Sequence, residues 1–259
     1  MTESCGHSGA PDVNPEQRAE VVFRDRTATG YAGLVAERGH YWWYTVQQFL
    51  LRCMGLQRGG WLYDAGCGVG VYALKIAEEF PTVRILAVDF SACSLELLRE
   101  SARERGLSER IVCVQADITQ WVAPSPVRWV LCTEVLQHIP TQDLRLRALQ
   151  CFAKSLMPGG ELWMVVARYT CRDQHRRIPK EIDERAGGGY FRMRFVPDEL
   201  RGLMRQAGFS RMHLFGAPVP PARIGQRLPR KLWKFALWLQ RVPGSFWMGR
   251  VLIARARLC

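Results

Sequence analysis

Three carboxylates in the 259-residue chain each close a run of aliphatic residues: Asp64, Asp89 and Asp117. Beside the first stand Gly66, Gly68 and Gly70, in the stretch YDAGCGVG. A glycine turn between a strand and a helix lets backbone N–H groups and a helix N-terminus approach a polar or anionic ligand. Asp64 is placed to accept hydrogen bonds from an amine or from the amides of the turn itself. Asp89, nineteen residues after Gly70, sits where a carboxylate can take both hydroxyls of a ribose. Asp117 is placed to accept from an adenine amino group. Any one of them could be an ordinary helix N-cap, but three at successive strand ends are less readily explained that way. The glycines spell DxGxGxG. The position five after Gly66 is Val71, so this is not the dinucleotide fingerprint, and no lysine of a triphosphate loop is present.

Positions of this kind require a parallel sheet. WLYDAGCGVG, VRILAVDF, IVCVQAD, VRWVLCTEV and ELWMVVA read as five strands, the first running into its turn. VYALKIAEEF, SLELLRESARERG and residues 141–155 read as helices between them, with Pro158-Gly159-Gly160 ending the last. The short turns imply right-handed crossovers. Residues 168–196 form an arginine-rich insertion, followed by the helix PDELRGLMRQAG with Pro near its start and Gly at its end. RMHLFGA and RVLIARARL supply two final strands around a second insertion at about 217–248. The expected fold is α/β, with seven strands in a mostly parallel sheet. Residues 1–15 read as a disordered leader, 16–55 as an N-terminal helical cap and 56–259 as the main domain.

With these motifs in order, the chain resembles the class I S-adenosylmethionine-dependent methyltransferases, in the broad group related to quinone and small-molecule enzymes. DAGCGVG, VDFS, QADI, CTEVLQHIP and LMPGGELW match the family's successive loops over about residues 56–167. The resemblance implies a Rossmann-like sheet with helices on both faces and an antiparallel last strand. It implies S-adenosylmethionine as cofactor, with Asp64, Gly66, Gly68 and Gly70 around its methionine part. It places Asp89 on the ribose, Phe90 beside the adenine, Asp117 and Ile118 on the adenine edge and Thr133 near the sulfonium. Cys67 stands where the family often has cysteine for compactness rather than as a nucleophile. No metal is implied.

Transfer from a sulfonium chiefly requires alignment of the acceptor, which can be worth about 7–11 kcal/mol. A hydroxyl acceptor also benefits from a base, and His138 just past the fourth strand is the candidate. The alternative for His138 is a turn and helix-start role. His40, Tyr41, Trp42, Trp43 and Tyr44 precede the sheet, where such enzymes place a lid, and consecutive aromatics cannot share one helix face. His40, Tyr41 and Trp43 are therefore candidate acceptor contacts, against plain packing on the sheet. Arg168 and Tyr169, after the fifth strand, could meet an acidic acceptor.

Charge divides the chain. Residues 1–167 hold 16 basic and 18 acidic side chains, residues 168–259 hold 20 and 6. A partner or anionic surface is thus to be sought in the last third. PRKLWKFALWLQR, with four cations over residues 230–241, suits a helix lying in an anionic membrane interface or, equally, a buried crossover helix with basic ends. Nucleic acid is disfavoured: CTEV replaces the Asn/Asp-Pro-Pro-aromatic motif of base-amino enzymes, and Cys132 follows Leu131 rather than a proline. Nine cysteines without a CxxC pair speak for a reducing compartment and against a zinc or disulfide framework, which suits a cytoplasmic protein, with or without peripheral membrane contact. No secretory signal or stretch of about 20 apolar residues is present. The expected activity is methylation of a small-molecule acceptor at oxygen in a biosynthetic pathway. The alternatives are a membrane-associated lipid, quinone or lipid-linked sugar as acceptor, and a donor-binding protein without catalysis.

Overall fold

The computed structural model describes residues 13–36, 41–220 and 222–258, with the side chains of 31–36, 42, 43 and 222 left aside. After a short turn of 3-10 helix, α1 (Arg18–Ala36) and α2 (Tyr41–Cys53) precede the sheet. Then come β1 (Gly60–Ala65), α3 (Val71–Glu79), β2 (Val83–Asp89), α4 (Ala92–Glu104), β3 (Ile111–Gln115) and β4 (Val127–Thr133). They are followed by α5 (Gln142–Ser155), β5 (Leu156–Ala167), α6 (Cys171–His175), β6 (Glu181–Asp183), β7 (Phe191–Met193) and α7 (Pro197–Gln206). β8 (Phe209–Ala217), α8 (Ala222–Gly225), α9 (Trp233–Leu239) and β9 (Val251–Leu258) complete the order.

Seven strands form one sheet in the order β3-β2-β1-β4-β5-β9-β8. β1 to β5 pair in parallel, and β9 runs antiparallel to both β5 and β8. The last strand is therefore the reversed one, as the family resemblance implied. Both faces are buried, and the alternation of strand side chains shows it. Tyr63, Val130, Cys132, Leu162 and Met164 join the core under α5 and α7. Leu62, Trp129, Leu131, Trp163 and Val165 join the core under α2, α3 and α4. α2 is tied down by Phe49, Leu50 and Met54, all buried, and by Trp129 Nε1 donating to the Met54 carbonyl at 2.9 Å.

The structure adds to the sequence reading at two points. β5 begins at Leu156 rather than after the Pro-Gly-Gly turn, because Leu156 already pairs with Val127 across a register shift. Gly160 lies so close to the Met157 and Arg128 carbonyls that a Cβ would approach them to 2.9 and 3.0 Å, so glycine lets the strand pass there. The arginine-rich insertion is also more ordered than its composition suggests, with β6 and β7 forming a small hairpin.

The sheet changes winding direction between β1 and β4, where successive crossovers leave on opposite sides. Open α/β sheets place ligands outside the carboxyl ends of the strands at such a point. α1 lies over that end. Its Asp25 accepts from Ser91 Oγ at 2.6 Å, just beyond β2, and Gln17 before it reaches Asp117, just beyond β3.

Candidate functional site

β1 ends in a backbone that only glycine enters readily: φ is +72° at Gly66, +52° at Gly68 and +83° at Gly70. Gly66 and Gly70 are also sterically required, since a Cβ would lie 2.4 Å from Val135 and 2.2 Å from Leu98. At Gly68 a Cβ would meet nothing within 4 Å, so the space beside it is open. Gly66 and Cys67 both donate to the Val88 carbonyl, at 2.8 and 3.1 Å, which locks the turn to β2. Gly70 then starts α3.

Asp89 faces this turn. Its Oδ2 accepts from the Gly68 amide at 2.8 Å and its Oδ1 from the Ser91 amide at 2.9 Å. Burial pushes its pKa up and those two amides pull it back. Asp64 is more extreme. Its side chain is buried, Oδ2 has no hydrogen-bond partner, and burial together with the nearby Asp89 raises its pKa to about 7. Such an oxygen lacks a donor that a ligand could bring. The buried Cys67 thiol is held well above its usual pKa by burial, which makes it a packing group and not a nucleophile.

These elements surround a cavity of about 650 Å³. Gly66, Cys67, Gly68, Asp89, Phe90, Ile118 and Thr133 line one end. Gln17, Glu20, Phe23, Arg24 and Thr27 of the N-terminal segment line the rest, with His138 and Ile139 opposite. Asp64 and Gly70 stand behind the lining. Asp117 does too, and its carboxylate is already engaged: Thr119 donates from its amide and hydroxyl at 2.9 and 2.8 Å, Gln17 from Nε2 at 2.9 Å. The adjacent Ile118 reaches the cavity where Asp117 does not.

His138 ends a short 3-10 turn after β4, its Nδ1 2.8 Å from the Phe191 carbonyl. A carbonyl only accepts, so Nδ1 carries the proton and Nε2 keeps a lone pair. Burial, with Arg24 and Arg192 nearby, lowers its pKa to about 3, so the ring is neutral near neutral pH.

Three expected acceptor contacts lie away from the cavity. Tyr41 is fully buried against Trp233 and directs its hydroxyl to the Val219 carbonyl at 3.3 Å. Arg168 donates to the Gly249 carbonyl at 3.0 Å and lies over the Trp247 ring. Tyr169 donates to the Ile178 carbonyl at 3.0 Å. Each serves packing, because the strand end that carries Arg168 and Tyr169 is roofed by the first insertion. His40 lies outside the described residues, and Trp43 is described only as part of the α2 backbone.

The cavity residues of α1 escaped sequence reasoning. α1 mixes charged and small residues on every side, with no apolar stripe to orient it. The i, i+4 pair Glu20 and Arg24 is its one local signal. Glu134 was also missed. It lines the cavity at φ +59°, a conformation uncommon for non-glycine residues.

Among known proteins, the family described as a methyltransferase domain matches residues 62–160. The trans-aconitate 2-methyltransferase of Azoarcus sp. strain BH72 is 32% identical over 127 residues, covering 49% of this chain and 47% of that protein. The chain spans roughly a quarter to a half of the length of the first curated relatives it matches (28%, 26% and 47%). The DhpI–SAM–HEP complex superposes with a TM-score of 0.63 over 95% of this chain and 99% of that one, at 17% identity. The [4+2]-cyclase SpnF gives the same TM-score, 0.63, over 97% and 99%, at 19% identity. The residues present fit S-adenosylmethionine. The space at Gly68 is open, and Asp89 borders the cavity beside it. A glycine turn at the switch point, an acidic residue closing β2 and the family match together mark residues 62–160 as a methyltransferase domain of the class I, S-adenosylmethionine-dependent kind.

Proposed function

We propose that this chain transfers a methyl group from S-adenosylmethionine to a small-molecule acceptor, with oxygen as the methylated atom. The observation that carries the reading is the continuity of one cavity from the glycine turn and Asp89 to His138 and α1. When bound, the cofactor supplies a sulfonium-activated methyl group. Asp89 would hold the ribose hydroxyls, Phe90 and Ile118 the adenine faces and edge, and Asp64 the amino group behind the turn. Asp117 would act at one remove, by holding Gln17 and its own loop. Thr133 would border the transfer path, while α1 excludes water from above.

The Nε2 lone pair of His138 would receive the proton of an acceptor hydroxyl. An imidazole with so low a pKa is a weak base, so its contribution would come from orientation as much as from proton affinity. Radiolabelled methyl donor, supplied with pooled phenols, catechols, amines and carboxylic acids, tests the reading. Label should enter an O-methylated product, and His138→Ala should slow turnover by about 10²–10⁴-fold with donor affinity within a few-fold. Label recovered only on nitrogen or carbon would remove the oxygen assignment.

A second reading, contact with an anionic membrane, is supported by α9 and its surroundings. Phe235 and Trp238 stack on each other, with ring centroids 5.5 Å apart, and both are 56% exposed. No acidic residue occurs after Glu199, whereas Arg230, Lys231, Lys234 and Arg241 flank this apolar face. Exposed aromatics framed by cations suit a peripheral interfacial helix. No helix among the described residues is long and apolar enough to cross a membrane.

A further inference from the structure

The α1 side of the cavity contains a carboxylate whose partners are incomplete. Glu20 is 3% exposed and lines the cavity. Its Oε1 receives both Nε and Nη2 of Arg24, at 2.8 and 2.6 Å, while Oε2 has no hydrogen-bond partner. Beside it, His138 Nδ1 lies 3.9 Å from Oε1 and is committed to the Phe191 carbonyl. Glu20 Oε2 and His138 Nε2 thus each keep a lone pair without a protein donor, and neither atom carries a hydrogen to donate.

Several donors nearby are already engaged: Arg24 gives Nε and Nη2 to Oε1, Thr27 Oγ1 donates to the Phe23 carbonyl at 2.8 Å, and Arg26 Nη2 reaches out to the Gly188 carbonyl at 2.7 Å. Gln17 Nε2 is held by Asp117. Phe23, Val135 and Ile139 supply an apolar wall between them. A buried polar atom without a partner is uncommon in folded proteins and calls for a ligand, water or ion to complete it.

We propose that Glu20 Oε2 is the anchoring atom for the acceptor, and that the acceptor is an apolar body presenting a hydroxyl or a protonated amine to it. The proposal rests on the methyltransferase reading of the cavity. It also predicts discrimination at this oxygen: a hydroxyl or an ammonium brings Oε2 the hydrogen it lacks, whereas a carboxylate brings none and adds a like charge beside Glu20. Burial holds the Glu20 pKa above the usual carboxylate value, and Arg24, the Phe191 amide and Arg185 pull against it without cancelling it. The free oxygen remains an acceptor for a ligand N–H or O–H.

The test uses the full chain saturated with S-adenosylhomocysteine and three probes of similar body, 4-methylcatechol, benzylamine and phenylacetate, followed by ligand-observed NMR titration. The catechol, the amine or both should bind at millimolar concentration or better, and phenylacetate should not. Glu20→Gln keeps the shape and removes the charge; it should weaken the bound probe at least tenfold. Glu20→Asp keeps the charge but withdraws the oxygen, and should weaken it to an intermediate degree. Calorimetric binding of S-adenosylhomocysteine by each variant certifies its fold. Failure of the parent chain to bind S-adenosylhomocysteine would count against the methyltransferase reading itself. With that binding intact, three results would overturn the Glu20 assignment: phenylacetate binding as well as the other probes, no probe binding, or equal probe binding by Glu20→Gln.

Discussion

Asp64 and His138 have opposite effects on stability as pH changes. The pKa of Asp64 is raised to about 7, so the folded chain keeps a proton that the unfolded chain loses above its ordinary value of 3.8. Its contribution is present in acid and is lost as pH rises through about 7. His138 is lowered to about 3 from 6.5, so the unfolded chain takes a proton that the folded chain refuses, and stability falls as pH drops below 6.5. Between these limits the two slopes oppose each other. Asp64→Asn should therefore unmask the histidine slope and make the chain ~1–3 kcal/mol more stable at pH 8. Urea melts at acidic, neutral and mildly alkaline pH check this, and an unchanged alkaline stability would contradict the burial of an ionised Asp64. The turn glycines and Asp89 were legible in the sequence because their spacing reflects a backbone requirement. Glu20, Arg24 and Phe23 were not, because their role depends on where a helix without an apolar stripe comes to rest.

α9 joins two environments within seven residues. Ala236 and Leu237 are buried, and Trp233 packs on Tyr41 and Tyr44 with its Nε1 donating to the Leu228 carbonyl at 3.2 Å. Phe235 and Trp238 point outward. The sequence showed an apolar-basic segment and left interfacial and buried readings equal. Its two tryptophans fall on different sides of the helix, which composition could not disclose. Phe235→Ser with Trp238→Ser should remove binding to anionic vesicles at low salt and leave the melting temperature unchanged. Trp233→Ser should lower the melting temperature, because it opens the contact with α2. Co-sedimentation beside a thermal melt separates the two, and vesicle binding that survives the double substitution would remove α9 from the membrane reading. Element boundaries were less legible than the elements themselves. The start of β5 depends on pairing between Leu156 and Val127, a contact between segments distant in sequence.

Across the whole molecule, one buried carboxylate ties the parallel part of the sheet to its reversed strand. Glu161 on β5 receives Trp163 Nε1 at 2.9 Å, Arg255 Nη2 at 2.6 Å and Arg257 Nη2 in an even closer contact. Burial pushes its pKa up, but these hydrogen bonds outweigh burial and hold it below the usual carboxylate range. Its stabilisation is present above that range and is lost as pH falls through the lowered value. Both arginines are about one-third exposed, at 33% and 37%, so solvent moderates the pair. Glu161→Gln should cost ~1–3 kcal/mol at neutral pH, less than a fully buried pair would, and should flatten the acid limb of the stability profile. A loss that persisted undiminished at low pH would point to packing instead. The overall topology was legible because five strand–turn–helix units follow one another with short connections. The charge division was legible from composition, but its placement around α9 depended on the second insertion folding back over α2.

The central claim is that the turn from Gly66 to Gly70 and the carboxylate of Asp89 form an S-adenosylmethionine site. Isothermal titration of the parent chain and of Asp89→Ala with S-adenosylhomocysteine tests it most directly. The parent should bind one equivalent, and the variant, with its melt showing an intact fold, should bind about ten- to a hundredfold more weakly, the loss of a charged hydrogen bond of about 1.5–3 kcal/mol. No binding by the parent chain, or equal affinity in the folded variant, would contradict the account.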